Sequence, residues 1–402
     1  MSPSVRRPRA VLAALALAAT AIVTTAGSNA DEPAVTIRGA DSPDAIAGSY
    51  IVVLAGQRTQ AETRATTASL ASSYDVEVRD QYAASIKGFS AGMTEEQAKK
   101  VAADQRVAFV QQNQKITVSQ DDPPWGLDRS DQRDLPLDKK FEASSTAGNV
   151  NVYVIDTGIY AAHKDFGGRA AVGADTVGDG QNGVDCHGHG THVAGTVAGT
   201  TYGVAKGAKV FGVRVLDCQG SGSTESVIGG IDWVTKNAKK PAVANMSLGG
   251  VADDALDAAV KASVGAGITY AVAAGNESSD ACASSPAREP SAITVGATDD
   301  RDQKASFSNW GKCVDLFAPG VGVLSAGITG PDATDTMSGT SMASPHVAGG
   351  IALYLADHPD ATPADVTTAL VGASTPDKVG DPGTGSPNKL LYVGKVDPAA
   401  PR

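Results

Sequence analysis

With 402 residues, 42% of them hydrophobic and 19% charged, the chain has ordinary globular composition and room for one large domain beside a small one. Its formal net charge of −11 argues against a nucleic-acid partner, which needs a basic face. The acidity sits in residues 122–402, where 21 basic side chains oppose 32 acidic ones, while residues 31–121 hold nine basic and twelve acidic.

The chain opens with Arg6, Arg7 and Arg9, followed by an apolar run of 14 residues from Ala10 to Val23 and the small residues Ser28-Asn29-Ala30. That order is a secretory signal over residues 1–30, and the apolar run is too short to span a bilayer comfortably. Arg6-Arg7 leaves Sec and twin-arginine export both open. No later segment is apolar enough to cross a membrane, so the mature protein is expected to be soluble, secreted and free of the membrane once the signal is removed. Export also bears on Cys186, Cys218, Cys282 and Cys313: four cysteines in an oxidising compartment usually form two disulfides.

Residues 31–48, polar and containing Pro33 and Pro43, read as a flexible lead-in. Residues 49–118 read as a compact α+β unit: a strand at SYIVVLA, a helix at TRATTASLASSY, and two short strands across VEVRDQYAASIKGFSAGM. A second helix, TEEQAKKVAADQ, is opened by a Thr94…Gln97 capping box, and VAFVQQNQKITV is the last strand. The stretch SQDDPPWG (119–126) is a breaker marking a linker. From about residue 140, apolar runs alternate with helical patterns. The runs NVYVI (151–155), KVFGVRVL (209–216), AVANMS (242–247), ITYAVAA (268–274) and AITVGA (292–297) are expected strands. ESVIGGIDWVTKNA and DDALDAAVKASVGAG are expected helices. Such alternation predicts an α/β fold, a parallel sheet covered by helices on both faces, with ligands bound beyond the carboxyl ends of the strands.

Chemistry-bearing residues cluster at those ends. NVYVIDTG sets Asp156 just past a strand, ITYAVAAGN delivers Asn276 past another, and GTSMASPHVAGGIALYL puts Ser341 at the mouth of a long apolar helix. In DCHGHGTHVAGT (185–196), His187, His189 and His192 stand beside Cys186. These residues could hold a transition metal if Cys186 is reduced. Alternatively, one histidine could work with Asp156 and Ser341 as base, orienting acid and nucleophile.

Taken together, VIDTG, GHGTHVAGT, NMSLGG, AAGN and GTSMASPHVAG resemble the subtilisin-like serine proteases, and the cysteine placement resembles their proteinase K and aqualysin branch. The likeness runs over residues 122–394, in the chain order Asp, His, Ser. Residues 49–118 resemble the family's propeptide, a small ferredoxin-like inhibitor and folding helper. After the signal peptide (1–30) and the lead-in (31–48), the resemblance implies a propeptide (49–118) and a catalytic domain (119–402).

It also implies catalytic roles for Asp156, His189 and Ser341, with the oxyanion held by the Asn276 amide and the Ser341 N–H. His192 would pack behind the site, and His187 would be a solvated loop residue. Gly220-Ser221-Gly222 and Ser247-Leu248-Gly249 would pair with an extended peptide. Ala273-Ala274-Gly275, carrying no charge, would line a pocket for large apolar or aromatic side chains. Disulfides Cys186–Cys218 and Cys282–Cys313 are implied, each worth roughly 3–4 kcal/mol in a chain-entropy account. So is a structural calcium on Asp315 and the carbonyls of Pro290 and Ala292, with no catalytic metal. The expected partners are polypeptide substrates and the chain's own propeptide, and the expected state is a monomer.

Overall fold

The computed structural model describes residues 36–42, 45–83, 86–114 and 118–394. The signal read over residues 1–30 lies outside them. The chain divides into two compact units, 1–115 and 116–402.

In the first unit the elements are β1 (Ala45–Leu54), α1 (Gln60–Tyr74), β2 (Glu77–Tyr82), β3 (Gly88–Gly92), α2 (Glu95–Ala102) and β4 (Val107–Gln114). The strands form an antiparallel sheet in the order β2-β3-β1-β4. Both helices begin with reciprocal capping boxes, Thr59 with Glu62 and Thr94 with Gln97. Each box satisfies backbone N–H groups that have no partner inside the helix. Leu70, Ala98 and Val101 from the helices pack on Val52, Phe89 and Val110 of the sheet. Two boundaries differ from those read in the sequence. The lead-in is partly built into the unit, since Ile37 is buried in this core and β1 starts at Ala45. The last strand stops at Gln114, and Val118 belongs to a strand of the second unit.

The second unit starts with β5 (Val118–Asp121), α3 (Trp125–Ser130) and β6 (Lys140–Ala143), where β5 and β6 pair antiparallel. β7 (Asn151–Asp156), β8 (Ala170–Asp175), α4 (His189–Ala198), β9 (Lys209–Arg214), α5 (Thr224–Asn237) and β10 (Ala242–Met246) follow. Then come β11 (Gly250–Val251), α6 (Asp254–Gly265), β12 (Thr269–Ala273), β13 (Ser284–Ser285), β14 (Ile293–Thr298) and β15 (Leu316–Pro319). The hairpin β16 (Val323–Ala326) and β17 (Thr334–Met337), α7 (Thr340–Asp357), α8 (Pro363–Ala373), β18 (Thr375–Pro376) and β19 (Lys389–Leu390) complete it. The main sheet runs β18-β19-β15-β14-β12-β10-β7-β9-β8 and is parallel throughout except for the terminal β18, which makes it a mixed sheet.

Alternation along the central strands explains the layers. Val152 and Val154 of β7 enter a core with Val193 and Val197 of α4 and Val347 and Ile351 of α7. Their neighbours Tyr153 and Ile155 face the other way, onto Val227 and Ile231 of α5 and Leu256 and Val260 of α6. A strand apolar on both sides is buried on both faces, and helices supply the cover. The carboxyl ends of β7, β10 and β12 therefore open at one edge of the sheet, where Asp156, Ser247 and Asn276 emerge.

Candidate active site

Asp156 ends β7 and is fully buried. Its Oδ1 accepts the N–H of Thr157 and a hydrogen bond from His189 Nδ1, each at 2.7 Å. An ionised carboxylate only accepts, so Nδ1 carries the imidazole proton and Nε2 is left as the basic nitrogen. Burial disfavours the charged ring, but the charge and hydrogen bond of Asp156 outweigh it and raise the His189 pKa above 6.5. The ring sits where α4 begins, behind Gly188, whose φ of 104° suits glycine.

The neighbouring histidines part company. His192 is buried, bonds Val323 O through Nε2 at 2.9 Å, and is kept neutral by burial, which lowers its pKa to about 4. His187 is exposed and lines the cleft, its ring 6.2 Å from that of His189. Cys186 is bonded to Cys218 and Cys282 to Cys313. With its sulfur in a disulfide, Cys186 is no thiolate ligand for a metal.

Ser341 stands in the first turn of α7, where backbone N–H groups lack intrahelical acceptors. Pro345 lies four residues on and has no N–H, so it leaves the Ser341 carbonyl without its usual donor. Ser247 Oγ replaces that donor at 2.7 Å, and Ser341 Oγ donates to Ser247 O at 3.2 Å. Asn245 and Ser344 extend the network, with Asn245 Nδ2 donating to Ser247 Oγ and Ser344 Oγ donating to Asn245 Oδ1.

Asn276 is oriented by its oxygen. Its Oδ1 accepts Thr340 N–H at 2.8 Å and Thr340 Oγ1–H at 3.0 Å, which frees the amide N–H₂. Gly339 leaves open the space beside it: a Cβ there would lie 3.6 Å from Ser341 N and 3.7 Å from Asn276 Nδ2. Ser341 N and the Asn276 side-chain amide thus both border the space beside Gly339.

Two clefts meet at the segment Leu248-Gly249-Gly250. One, of about 390 Å³, is lined by Ala273, Ala274, Gly275, Asn276 and Ser341. The other is lined by His189, His187, Gly220-Ser221-Gly222 and Ser247-Leu248-Gly249. Both segments expected to pair with a peptide lie outside the main sheet, but part of their backbone is already engaged: Gly220 N–H and Ser221 N–H donate to Asp217, Ser221 O accepts Asp217 N–H, and Ser247 O accepts the Ser341 hydroxyl. The first cleft departs from the sequence reading, which counted no charge in its lining segments. Glu277 also lines it, its Oε2 accepting Asn309 Nδ2 at 2.8 Å. No local pattern signals this, because Asn309 is 32 residues away and meets Glu277 only through the fold.

Asp315 precedes β15 and bonds to Thr294, the second residue of β14. Its N–H donates to Thr294 O at 2.9 Å, and its Oδ2 accepts Thr294 N–H at 2.8 Å. The adjacent segment carries Pro290, exposed, and Ala292, buried. Burial pushes the Asp315 carboxyl up to about 6.

Residues 147–389 match the model of the subtilase family, and residues 49–119 match that of the peptidase inhibitor I9 family. The chain is 47% identical over 379 residues to an extracellular serine proteinase of Thermus sp. strain Rt41A, covering 88% of this chain and 92% of that one. It is 46% identical to the alkaline serine exoprotease A of Vibrio alginolyticus, covering 87% of this chain and 68% of that one. Among solved structures, a cold-adapted subtilisin-like serine proteinase aligns with TM-score 0.66 and 52% identity, over 68% of this chain and 98% of that one.

Proposed function

Because the chain belongs to the subtilase family, as a subtilisin-like serine proteinase with an inhibitor-type N-terminal unit, we propose that Ser341, His189 and Asp156 are its catalytic residues. The observation that carries this reading is the 2.7 Å bond from His189 Nδ1 to a buried Asp156 at the end of β7, with Ser341 bonded to Ser247 just past the end of the neighbouring strand β10. Ser341 Oγ attacks the scissile carbonyl, and its proton passes to His189 Nε2. Asp156 holds the tautomer and stabilises the imidazolium without taking the proton. The tetrahedral oxyanion lies in the gap between Asn276 Nδ2 and Ser341 N–H, at the positive end of α7. Collapse releases the amine, which takes the proton from His189, and water then hydrolyses the acyl-enzyme by the same route.

Substrate runs extended between Gly220–Gly222 and Ser247–Gly249, held by main-chain hydrogen bonds, which favours broad sequence tolerance. The walls Ala273, Ala274, Gly275, Ala283, Ala287 and Leu248 suit a large apolar or aromatic side chain before the cut. Glu277 on the same wall adds a place for the tip of a long cation.

Asp315 with the carbonyls of Pro290 and Ala292 offers the oxygen donors a hard cation takes, and its shielded carboxyl forms no ion pair among the described residues. Calcium there would tie β14 to β15 and serve structure, not catalysis. The N-terminal unit acts as intramolecular inhibitor, and the mature enzyme works outside the cell as a monomer. No described helix is long and apolar enough to cross a membrane.

The deciding experiment treats the mature enzyme with a serine-directed phosphonylating reagent and maps the adduct. A single label on Ser341 with loss of proteolysis is the expected result. Inactivation with the label elsewhere, or labelling of Ser341 with full activity retained, would remove Ser341 from the mechanism.

A further inference from the structure

We infer that Asp185 is a positioning residue of the catalytic pair, a second buried carboxylate that fixes how far His189 stands from Asp156 and in what orientation. The inference rests on the catalytic roles proposed above and extends them. Asp185 is 5% exposed, lies four residues before His189, and forms no ion pair among the described residues. Both its oxygens are used by the two segments that carry the pair. Oδ1 accepts the hydroxyl of Thr157, the residue directly after Asp156, at 2.9 Å. The same oxygen accepts the N–H groups of His187 at 3.0 Å and Gly188 at 2.8 Å, which lead into His189. Oδ2 accepts Thr191 N–H at 2.8 Å and Thr191 Oγ1–H at 2.6 Å, in the first turn of α4.

The two segments are also joined directly. Thr157 Oγ1 gives its proton to Asp185 and accepts Gly190 N–H at 2.9 Å, while Thr191 Oγ1 accepts Tyr160 N–H at 2.9 Å. The end of β7 and the start of α4 are therefore strapped together on both sides of the Asp156–His189 bond. At the α4 N-terminus the N–H groups of His187, Gly188 and Thr191 converge on this one anionic acceptor, where a negative charge is also favoured by the helix dipole, while that of Gly190 goes to Thr157. Burial alone would push the Asp185 carboxyl up, but the bonds from Gly188, Thr191 and Thr157 outweigh it and hold the pKa below the usual carboxylate value. Asp185 thus stays charged and, after Asp156, adds its field to the stabilisation of the His189 imidazolium. The ionisable groups facing the His189 ring are Asp156 on β7, Asp185 and His187 on the loop before α4, and His192 one turn along it.

A structural buried carboxylate and a positioning one make different predictions for the folded enzyme. The test expresses the full chain as Asp185→Asn, counts active sites by phosphonylation of Ser341, and measures kcat, KM and the pH profile of kcat/KM per titrated site. Expected are a fall in kcat of up to about 10²-fold, the scale for misplaced catalytic groups, with KM little changed. The acid limb should move to lower pH, because removing a nearby negative charge makes imidazolium less stable. If kcat per titrated site and the limb both equal wild type, and only the number of sites or the melting temperature falls, the inference is wrong. Should Asp185→Asn yield no folded enzyme, Thr157→Val and Thr157→Ser decide. Val removes the hydroxyl strap and should lower kcat per site, and Ser should restore it, whereas equal kcat in Val and wild type overturns the inference. Wild-type enzyme that leaves Ser341 unlabelled would overturn the catalytic assignment itself and this inference with it.

Discussion

Asn276 is held by hydrogen bonds to its oxygen, not its nitrogen, so replacing it leaves Thr340 without that acceptor, while Thr340 Oγ1 still accepts the N–H of Gly275 in the adjoining cleft wall. Asn276→Ala should therefore lower kcat by about 10²–10³ with KM nearly unchanged, the scale for losing one oxyanion donor. Steady-state kinetics on a peptide amide checks it, and a change confined to KM would move Asn276 from catalysis to binding. The pH dependence follows from His189. Its pKa is raised above 6.5, and only the neutral ring accepts the Ser341 proton. Activity should fall as pH drops through a limb lying above the ordinary imidazole value and reach its plateau on the alkaline side. Glu277→Gln should lower kcat/KM for substrates with Lys before the cut while sparing those with Phe, as read on a matched pair of peptides. His189, Asp156, Ser341 and Asn276 could be read in the sequence because each sits inside a short motif at a strand or helix end. Glu277 and Asp185 could not, because what they do depends on partners far along the chain, such as Asn309, or on the fan of N–H groups that a folded loop creates.

At the scale of elements, the runs that became β7, β10, β12 and β14 were legible because burial on both faces demands uninterrupted apolar sequence. β8 was not. Its AAVGAD is half exposed, and its Gly173 stands where a Cβ would come within 3.0 Å of the Trp233 ring, so packing rather than propensity selects it. β15, β18 and β19 are too short to carry a period. Polar ties between elements were equally invisible. Arg129 of α3 is fully buried and meets Asp302, in the loop between β14 and β15, through Nε at 2.6 Å and Nη2 at 3.0 Å. Asp302 has φ 62°, which asparagine tolerates well, so Asp302→Asn isolates the charge from the backbone. Leaving the buried guanidinium without its counter-charge should cost about 3–5 kcal/mol. A thermal melt would show this as a clear drop in Tm, and an unchanged Tm would mean that the Gln132 and Arg133 carbonyls suffice.

For the whole molecule, the division into units 1–115 and 116–402 frames maturation. If the enzyme cuts itself free, Ser341→Ala made in a host lacking other exported proteases should accumulate as an unshortened chain starting near Asp31. A mutant that still matured to a start near residue 120 would show that another enzyme does the cutting. Chelator should lower the melting temperature of the mature enzyme while phosphonylation of Ser341 persists, and loss of labelling with the fold intact would contradict a purely structural cation. The disulfides matter here in a way that stability alone does not capture. They close segments 32 and 31 residues apart in sequence, 186–218 and 282–313, both of which contain exposed positions such as Thr200 and Arg301. A molecule that digests protein shares its solution with copies of itself, and each exposed turn is a possible meal. A nick inside either loop leaves its two sides still joined through sulfur and still packed, so damage that would otherwise shed a fragment becomes a silent scar. Ageing enzyme should look whole on a denaturing gel without reductant and broken on one with it.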